Sequence, residues 1–270
     1  MTQSVLVILS SQPLGETAVE VLIQARTLGV WEMSDREWRA YFDGEDESIA
    51  TALLRLDPDL SLRWETHEPV DWVERYQASL RPIAVGRRFV ILPSPDLDNP
   101  WTRRIALSLV PGMAFGTGEH FTTASCLRTI EALSPVPSSV LDLGCGTGIL
   151  AAAAWKLGAR RVLACDVDPE ACDVSRETAR VNHTPFDVAI GSADVVDERF
   201  HCVFANILAQ TLVELMPAIG LRLLPGGALI GSGILLDLGG DVLHAASLQG
   251  FRLVQRRSDG EWWTFLWRAK

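Results

Sequence analysis

The sequence has few cysteines and no long hydrophobic run, and each shortage argues against a class of protein. Its five cysteines form no Cys-x-x-Cys pair and are not grouped with histidines, which argues against a zinc site or a disulfide framework. No apolar stretch approaches the ~20 residues that span a bilayer. The first residues, Met-Thr-Gln-Ser-Val, lack the basic and apolar regions of a signal peptide. We therefore expect a cytoplasmic protein with reduced thiols, no metal ion and no membrane association.

Basic residues are scarce in the amino-terminal part of the chain. Residues 1–80 contain fifteen Asp and Glu against six Arg and no Lys, so they carry nine of the ten net negative charges. An acidic surface repels phosphate backbones, so a stable complex with nucleic acid is not expected there. The same surface would attract a basic protein, although acidic surfaces also simply keep proteins soluble.

Glycines are concentrated in residues 140–150, where an apolar strand meets Gly144, Gly146 and Gly148 and then an alanine-rich helix. These glycines can adopt positive φ and let a ligand approach the bare backbone. The dinucleotide fingerprint places its third glycine one residue later. Asp142, just before the loop, would repel a pyrophosphate but suits the ammonium and sulfonium groups of S-adenosylmethionine. The loop therefore predicts an S-adenosylmethionine site.

Two further acids follow the glycine loop. Asp166 ends the next predicted strand, about twenty residues after the loop, where a carboxylate can accept both ribose hydroxyls of the cofactor. Asp168 directly precedes Pro169, a pattern typical of a helix N-cap with proline at the first helical position. We expect Asp166 to bind the cofactor and Asp168 to cap a helix.

A second glycine-rich segment, residues 111–123, comes before the nucleotide-binding strand and ends in paired threonines. Its glycines suggest a mobile lid, and the free N–H groups of the helix that follows can meet a carboxylate. An ordinary connection with a threonine N-cap is the alternative. We expect Phe115 and Thr123 to contact the cofactor, and His120 to be a surface residue or loop hydrogen-bonder instead of a base.

Asn206 ends an apolar strand at the predicted carboxyl edge of the sheet, where doubly wound folds bind ligands. Its side-chain carbonyl can accept a hydrogen bond from a neutral amine and aim the lone pair of that amine at a methyl group. We therefore predict that Asn206 is a catalytic and cofactor-binding residue. The alternative is a polar cap on the following helix.

The order of predicted elements indicates two domains. Residues 1–67 show a β-α-β-β-α-β order typical of a ferredoxin-like α+β domain, which we expect to recognise the substrate. Residues 68–100 predict a linker. In residues 101–270 strands and helices alternate, which predicts a Rossmann-like, doubly wound and mostly parallel sheet with an antiparallel pair at its end.

Taken together, these motifs closely resemble the ribosomal protein L-11 methyltransferase family, PrmA. The resemblance covers nearly all of residues 70–270 and includes the segment 111–123, the glycine loop, Asp166-x-Asp168-Pro169, Ala205-Asn206-Ile207-Leu208 and Ser232-Gly233-Ile234-Leu235. It implies a class I S-adenosylmethionine-dependent methyltransferase fold, preceded by a small substrate-recognition domain and a linker helix.

The resemblance also implies an activity, which is methylation of lysine side chains and the N-terminal amine of ribosomal protein L-11. Thr123, Gly144, Asp166 and Asn206 match the cofactor-contact residues of the family. Val110 departs from the pattern, because the family usually has an acidic residue there. If the partner is the basic protein L-11, the acidic first domain would serve substrate binding. We expect a monomer.

Two other functions fit the motifs. One is a nucleic-acid amino methyltransferase, although those enzymes usually have Asn-Pro-Pro and an aromatic residue where this chain has Asn206-Ile207-Leu208. The other is a non-catalytic assembly module that keeps the cofactor pocket. For the enzyme, we predict in-line transfer to a neutral amine, with water as proton acceptor because no residue is an obvious general base.

Overall fold

The structure of the protein is a computed structural model that describes residues 3–10, 16–34, 36–67, 81–110 and 120–270. The chain divides into two units, Met1–Ser79 and Leu80–Lys270. Phe115, most of the predicted lid and the predicted linker helix lie outside the described residues. None of the helices in the described part of the chain is long and apolar enough to cross a membrane.

The smaller unit contains a four-stranded antiparallel sheet and two helices. Its elements are β1 (Gln3–Leu9), α1 (Glu16–Gln24), β2 (Gly29–Ser34), β3 (Glu37–Phe42), α2 (Glu47–Leu56) and β4 (Ser61–His67). The strand order β2-β3-β1-β4 confirms the predicted ferredoxin-like topology. Leu6 and Ile8 of the central strand pack with Leu22 of α1 and Leu53 of α2 in one apolar core. Asp46 caps α2 by accepting a hydrogen bond from the Ser48 backbone N–H at 2.8 Å.

The larger unit is built on a seven-stranded sheet flanked by helices. Its elements are β5 (Ile83–Val85), β6 (Phe89–Leu92), β7 (Ile105–Ser108), α3 (Phe121–Glu131), β8 (Ser139–Leu143), α4 (Ile149–Leu157), β9 (Arg161–Asp166), α5 (Pro169–Val181), β10 (Asp187–Ile190), β11 (Phe200–Asn206), α6 (Ala209–Arg222), β12 (Leu223–Leu235), α7 (Gly239–Leu248), β13 (Arg252–Ser258) and β14 (Trp262–Arg268). The sheet order is β10-β9-β8-β11-β12-β14-β13. Strand β14 runs opposite to the other six strands of this sheet. This confirms the predicted doubly wound sheet with antiparallel pairing at its end.

Helix α4 shows how the sequence builds this layered arrangement. Ala151, Ala152 and Ala153 are fully buried, and their small side chains let the helix lie close to the sheet. The central strands are buried on both faces, as expected for parallel strands covered by helices. The chain winds outward from β8 to β10 and then crosses back to β11 beside β8. Ligands bind at such a reversal, at the carboxyl ends of the strands.

A separate three-stranded sheet of β5, β6 and β7 belongs to the larger unit. Phe89, Ile91 and Leu107 are completely buried in the same core as α3 and α4. Residues 83–92, which lie inside the expected linker 68–100, therefore fold as part of the larger unit. The proline-rich stretch that follows favours an extended connector in the sequence. In the structure the apolar residues of β6 pair with β7 and bury their side chains, which stabilises the folded chain.

Candidate functional site

A cleft of about 310 Å³ opens at the carboxyl edge of the sheet, between the ends of β8, β9, β10 and β11. It lies at the reversal in strand order, where a doubly wound fold places its ligand. Five residues predicted from the sequence line it: Thr123, Gly144, Gly146, Asp166 and Asn206. The structure thus brings together side chains that are up to 83 positions apart in the chain.

The glycine loop follows β8 and forms one wall of the cleft. Gly144, Gly146 and Gly148 have φ of +69°, +52° and +74°. A Cβ on Gly144 would lie 2.4 Å from Cγ2 of Ile207, and a Cβ on Gly148 would lie 2.3 Å from Oγ of Ser175. The two outer positions therefore require glycine for space as well as for conformation. Gly148, at the N-terminus of α4, supports the loop but does not line the cleft.

Asp166 ends β9 and fixes the glycine loop to the neighbouring strand. Its Oδ2 accepts a hydrogen bond from the Gly146 N–H at 2.9 Å, and its Oδ1 accepts one from the Asp168 N–H at 3.1 Å. Each carboxylate oxygen has a second acceptor site, so Asp166 retains capacity for hydroxyl donors in the cleft. Asp168 caps α5 by accepting from the Glu170 N–H at 2.9 Å, which confirms its predicted role.

Asp142 is almost completely buried and is not among the residues that line the cleft. Its Oδ2 accepts a hydrogen bond from the Ala151 N–H at 3.0 Å, in the first turn of α4. Burial raises the pKa of Asp142 to about 8, with a further upward effect of the nearby Asp166 charge, while the Ala151 hydrogen bond opposes the shift. Asp142 therefore holds the glycine loop against α4, a position that the sequence motif alone did not reveal.

Asn206 ends β11 on the opposite wall of the cleft. Its Nδ2 lies 3.4 Å from Oγ1 of Thr123, which is fully buried in the first turn of α3. Its Oδ1 is shielded from solvent and has no hydrogen-bond partner among the described residues. An unpaired buried acceptor costs about 1–3 kcal/mol. A ligand N–H or O–H group in the cleft would remove that cost only if the amide turns to expose this oxygen.

His120 begins α3 as its N-cap, because its ring Nδ1 accepts from the Thr122 N–H and lies 2.8 Å from Oγ1 of the same residue. The ring also packs edge-on against Trp262, with centroids 5.1 Å apart. This confirms the prediction of a hydrogen-bonding loop residue. The alternative of a threonine N-cap is wrong, since both threonines already lie within the helix.

Several cleft residues were not predicted individually. They are Leu143, Cys145, Ile149, Leu150, Val167, Gly191, Ser192, Ile207, Leu208, Thr211 and Leu215. Val167, Ser192 and Leu208 each follow the carboxyl end of a parallel strand, so their positions in the topology could have indicated them. The apolar residues carry no chemical signature in the sequence that separates them from core residues.

The five cysteines, all within the described residues, are buried and have free thiols. Burial is the main cause that raises the pKa of Cys145 in the glycine loop, and nearby Asp142 raises it further. A thiol with a raised pKa is a poor nucleophile at neutral pH. The prediction of free thiols in the core or in loops is therefore confirmed, and the absence of a catalytic role stays a prediction.

The family model described as ribosomal protein L11 methyltransferase (PrmA) matches residues 5–270. The chain belongs to the PrmA family. A protein of Symbiobacterium thermophilum named ribosomal protein L11 methyltransferase is 42% identical over 193 residues, covering 71% of this chain and 62% of that relative, less than two thirds of its length. A protein of the same name from Pelobacter propionicus is 37% identical over 257 residues, covering 85% and 81% of the two chains.

A solved structure of similar fold is the ribosomal protein L11 methylase of Lactobacillus delbrueckii subsp. bulgaricus. It superposes with a TM-score of 0.66 at 32% identity and covers 70% of this chain and 100% of that chain. Membership of the PrmA family confirms the resemblance in the sequence motifs, and the larger unit has the predicted class I methyltransferase fold.

Proposed function

We propose that this protein transfers methyl groups from S-adenosylmethionine to amino groups of ribosomal protein L11, both lysine side chains and the N-terminal amine. The observation that carries the proposal is the unpartnered Oδ1 of Asn206 within the cleft of a PrmA-family fold. An amine that donates an N–H there would satisfy a buried acceptor. We propose L11 as the substrate because relatives of this chain are named ribosomal protein L11 methyltransferase.

The residues of the cleft fit S-adenosylmethionine, which supplies an electrophilic methyl group on a sulfonium. Gly144 and Gly146 offer bare backbone, and Asp166 offers acceptor sites for ribose hydroxyls. The first turn of α3, at Thr123, offers backbone N–H groups that suit a carboxylate. Among the described residues that line the cleft there is no Lys or Arg, so a cationic ligand meets no repulsion there. We also assign Phe115 and Asp142 to cofactor binding, Asp142 by fixing the loop.

Asn206 would position the acceptor amine. A lysine with a pKa of about 10.4 is mostly protonated at neutral pH, whereas transfer requires the neutral amine. Apolar side chains of Ile207, Leu208 and Leu215 line this part of the cleft and disfavour the ammonium form. The Asn206 carbonyl then accepts one N–H and leaves the lone pair to attack the methyl carbon, which holds the reacting atoms in line.

The proton released from the amine goes to water. Among the described residues that line the cleft, Asp166 is the one carboxylate, and its oxygens already accept two backbone hydrogen bonds. Positioning and electrostatics therefore account for the rate, without covalent or metal chemistry from these side chains.

The acidic smaller unit is the proposed recognition domain for the basic protein substrate. Its four-stranded sheet and its excess of acidic residues support this assignment. We further propose that the protein acts in the cytoplasm as a monomer and forms no stable complex with nucleic acid.

A transfer assay with methyl-labelled S-adenosylmethionine tests the proposal. Purified L11, a mixture of other ribosomal proteins and ribosomal RNA are offered separately, and label is counted after removal of free cofactor. Label on L11 is the expected result. Label on RNA would identify a nucleic-acid methyltransferase, and cofactor binding without transfer to any of these substrates would identify an assembly module.

A further inference from the structure

A groove of about 420 Å³ lies between α6 and α7, beside the catalytic cleft. Val213 and Val242 form its base, and Leu238 forms part of its wall. Leu208 is 71% exposed at the start of α6, and Leu235, Leu236 and Leu238 are each exposed by more than a third. A single exposed leucine is ordinary, but Leu238 lines the groove, Leu208 lines the cleft, and Leu235 and Leu236 lie next to Leu238 in the sequence, so exposed apolar surface is concentrated here.

The groove and the cleft are both lined by residues of helix α6. Leu208, Thr211 and Leu215 line the cleft, while Gln210 and Glu214 line the groove. Residues three or four positions apart lie on one side of a helix, so α6 presents one side to the cleft and the adjacent side to the groove. A chain whose amine enters the cleft beside Asn206 would therefore pass over this groove.

The charge of the groove selects its occupant. Glu214 and Asp241 line the groove, and Asp237 directly precedes the groove residue Leu238. All three acids are exposed. Between Phe200 and Phe251 the chain has no Lys and one Arg, Arg222, whose Nε donates to the Ala193 carbonyl. Asp241 also suits the N-terminal turn of α7, but that role does not explain Glu214 in the middle of α6.

We propose that the α6–α7 groove binds the segment of the protein substrate that flanks the methylated amine. Apolar side chains of that segment pack on Leu208 and Leu238, and its lysines or arginines face Glu214 and Asp241. This inference rests on the proposed function and assigns part of the substrate recognition to the larger unit. Charge complementarity, on a helix that also lines the cleft, favours a basic, amphipathic protein segment over a nucleic acid, which these carboxylates would repel.

Steady-state kinetics with L11 as the varied substrate test the groove. The double variant Glu214→Gln/Asp241→Asn should raise KM for L11 about five- to tenfold at low ionic strength, since each exposed pair contributes about fivefold at most. Leu238→Ala should raise KM about threefold or more through lost apolar contact. In both variants kcat and the affinity for S-adenosylhomocysteine should stay close to wild type. Added salt should raise KM for L11 more in the wild type than in the double variant.

Matched controls separate the groove from general effects of charge and surface. Asp98→Asn/Asp197→Asn removes two exposed acids elsewhere in the larger unit, and Leu248→Ala removes a leucine that is 72% exposed at the other end of α7. Both controls should keep the wild-type KM. If the groove variants also keep it while the wild type methylates L11, the groove proposal is wrong and the proposed function stands. If the wild type transfers nothing to L11, both are wrong.

Discussion

Asn206 and Asp142 lie at the ends of neighbouring strands, and burial gives them different roles. Asn206 lines the cleft, and its carbonyl oxygen is buried without a partner among the described residues. Asp142 turns its carboxylate to the first turn of α4 and is almost wholly buried. One residue is therefore available to a ligand, and the other sets the shape and potential of the loop that holds it.

Asn206→Ala should lower the rate of methyl transfer about 100-fold, because it removes the group that positions the amine. The free protein should be no less stable, since the variant loses one weak hydrogen bond and also an unpaired buried acceptor. Single-turnover transfer and thermal unfolding measure these two properties. Transfer at the wild-type rate would contradict the assignment of Asn206.

The buried carboxyl of Asp142 predicts a specific dependence of stability on pH. Its folded-state pKa of about 8 lies above the ordinary value of 3.8, so ionisation opposes folding. The free protein should lose stability as pH rises from about 4 to 8, where the unfolded chain releases this proton and the folded chain retains it.

Asp142→Asn keeps the acceptor for the Ala151 N–H but cannot ionise. Its melting temperature should match that of the wild type near pH 4, exceed it increasingly up to about pH 8 and by a constant amount above that, in the absence of cofactor. Asp46→Asn is the control, because the hydrogen bond from Ser48 lowers the pKa of this exposed cap, and the variant should show no such divergence over this range. Parallel melting curves for wild type and Asp142→Asn would show that Asp142 is already ionised at neutral pH.

At the scale of elements, the turn after β11 depends on close contact with β12. Gly233 in β12 has a φ of +79°, and a Cβ there would lie 2.5 Å from the carbonyl oxygen of Ile207. The Ile207 N–H also donates to the Ser232 carbonyl at 3.2 Å. Strand β12 therefore fixes the backbone that carries Asn206, and only glycine allows the two segments to approach this closely.

Gly233→Ala should destabilise the protein by about 1–3 kcal/mol and reduce methyl transfer, because the turn that carries Asn206 must move. Gly226→Ala is a matched control in the same strand. Gly226 has a similar φ of +72° but no atom within 4 Å of the added Cβ. It should lose about 1 kcal/mol in chemical denaturation and retain its transfer rate. Equal loss of transfer in the two variants would contradict this role of the turn.

The sequence predicted the features that depend on residues close together in the chain, and missed those that depend on contacts between distant residues. The spacing of Gly144 to Gly148 and the Asp168-Pro169 cap depend on neighbouring residues alone, and the structure has both. Residues 83–92 were expected in a linker, because their burial depends on pairing with β7, which no local pattern reports. The direction of the Asp142 side chain depends on the distance to α4 and could not be predicted from its position in the motif.

At the scale of the whole molecule, most of the net negative charge lies in the smaller unit and the cleft lies in the larger one. The first 80 residues carry nearly all of the net negative charge, while the larger unit holds the cleft. The larger unit nevertheless has acids beside the cleft in the α6–α7 groove. A basic protein substrate would be attracted to the acidic smaller unit and to the acids of the groove. The first would bind the substrate, and the second would bind it next to the cleft that receives its amine.

Peptide mapping of L11 by mass spectrometry, after reaction with the wild-type protein and S-adenosylmethionine, tests this account most directly. Fragment masses locate each added methyl group. The account predicts methyl groups on lysine ε-amines and on the N-terminal α-amine, and far fewer after equal reaction with Asn206→Ala. Unmodified L11, or methyl groups confined to carboxylate or other non-amine atoms, would contradict an amine methyltransferase built around Asn206.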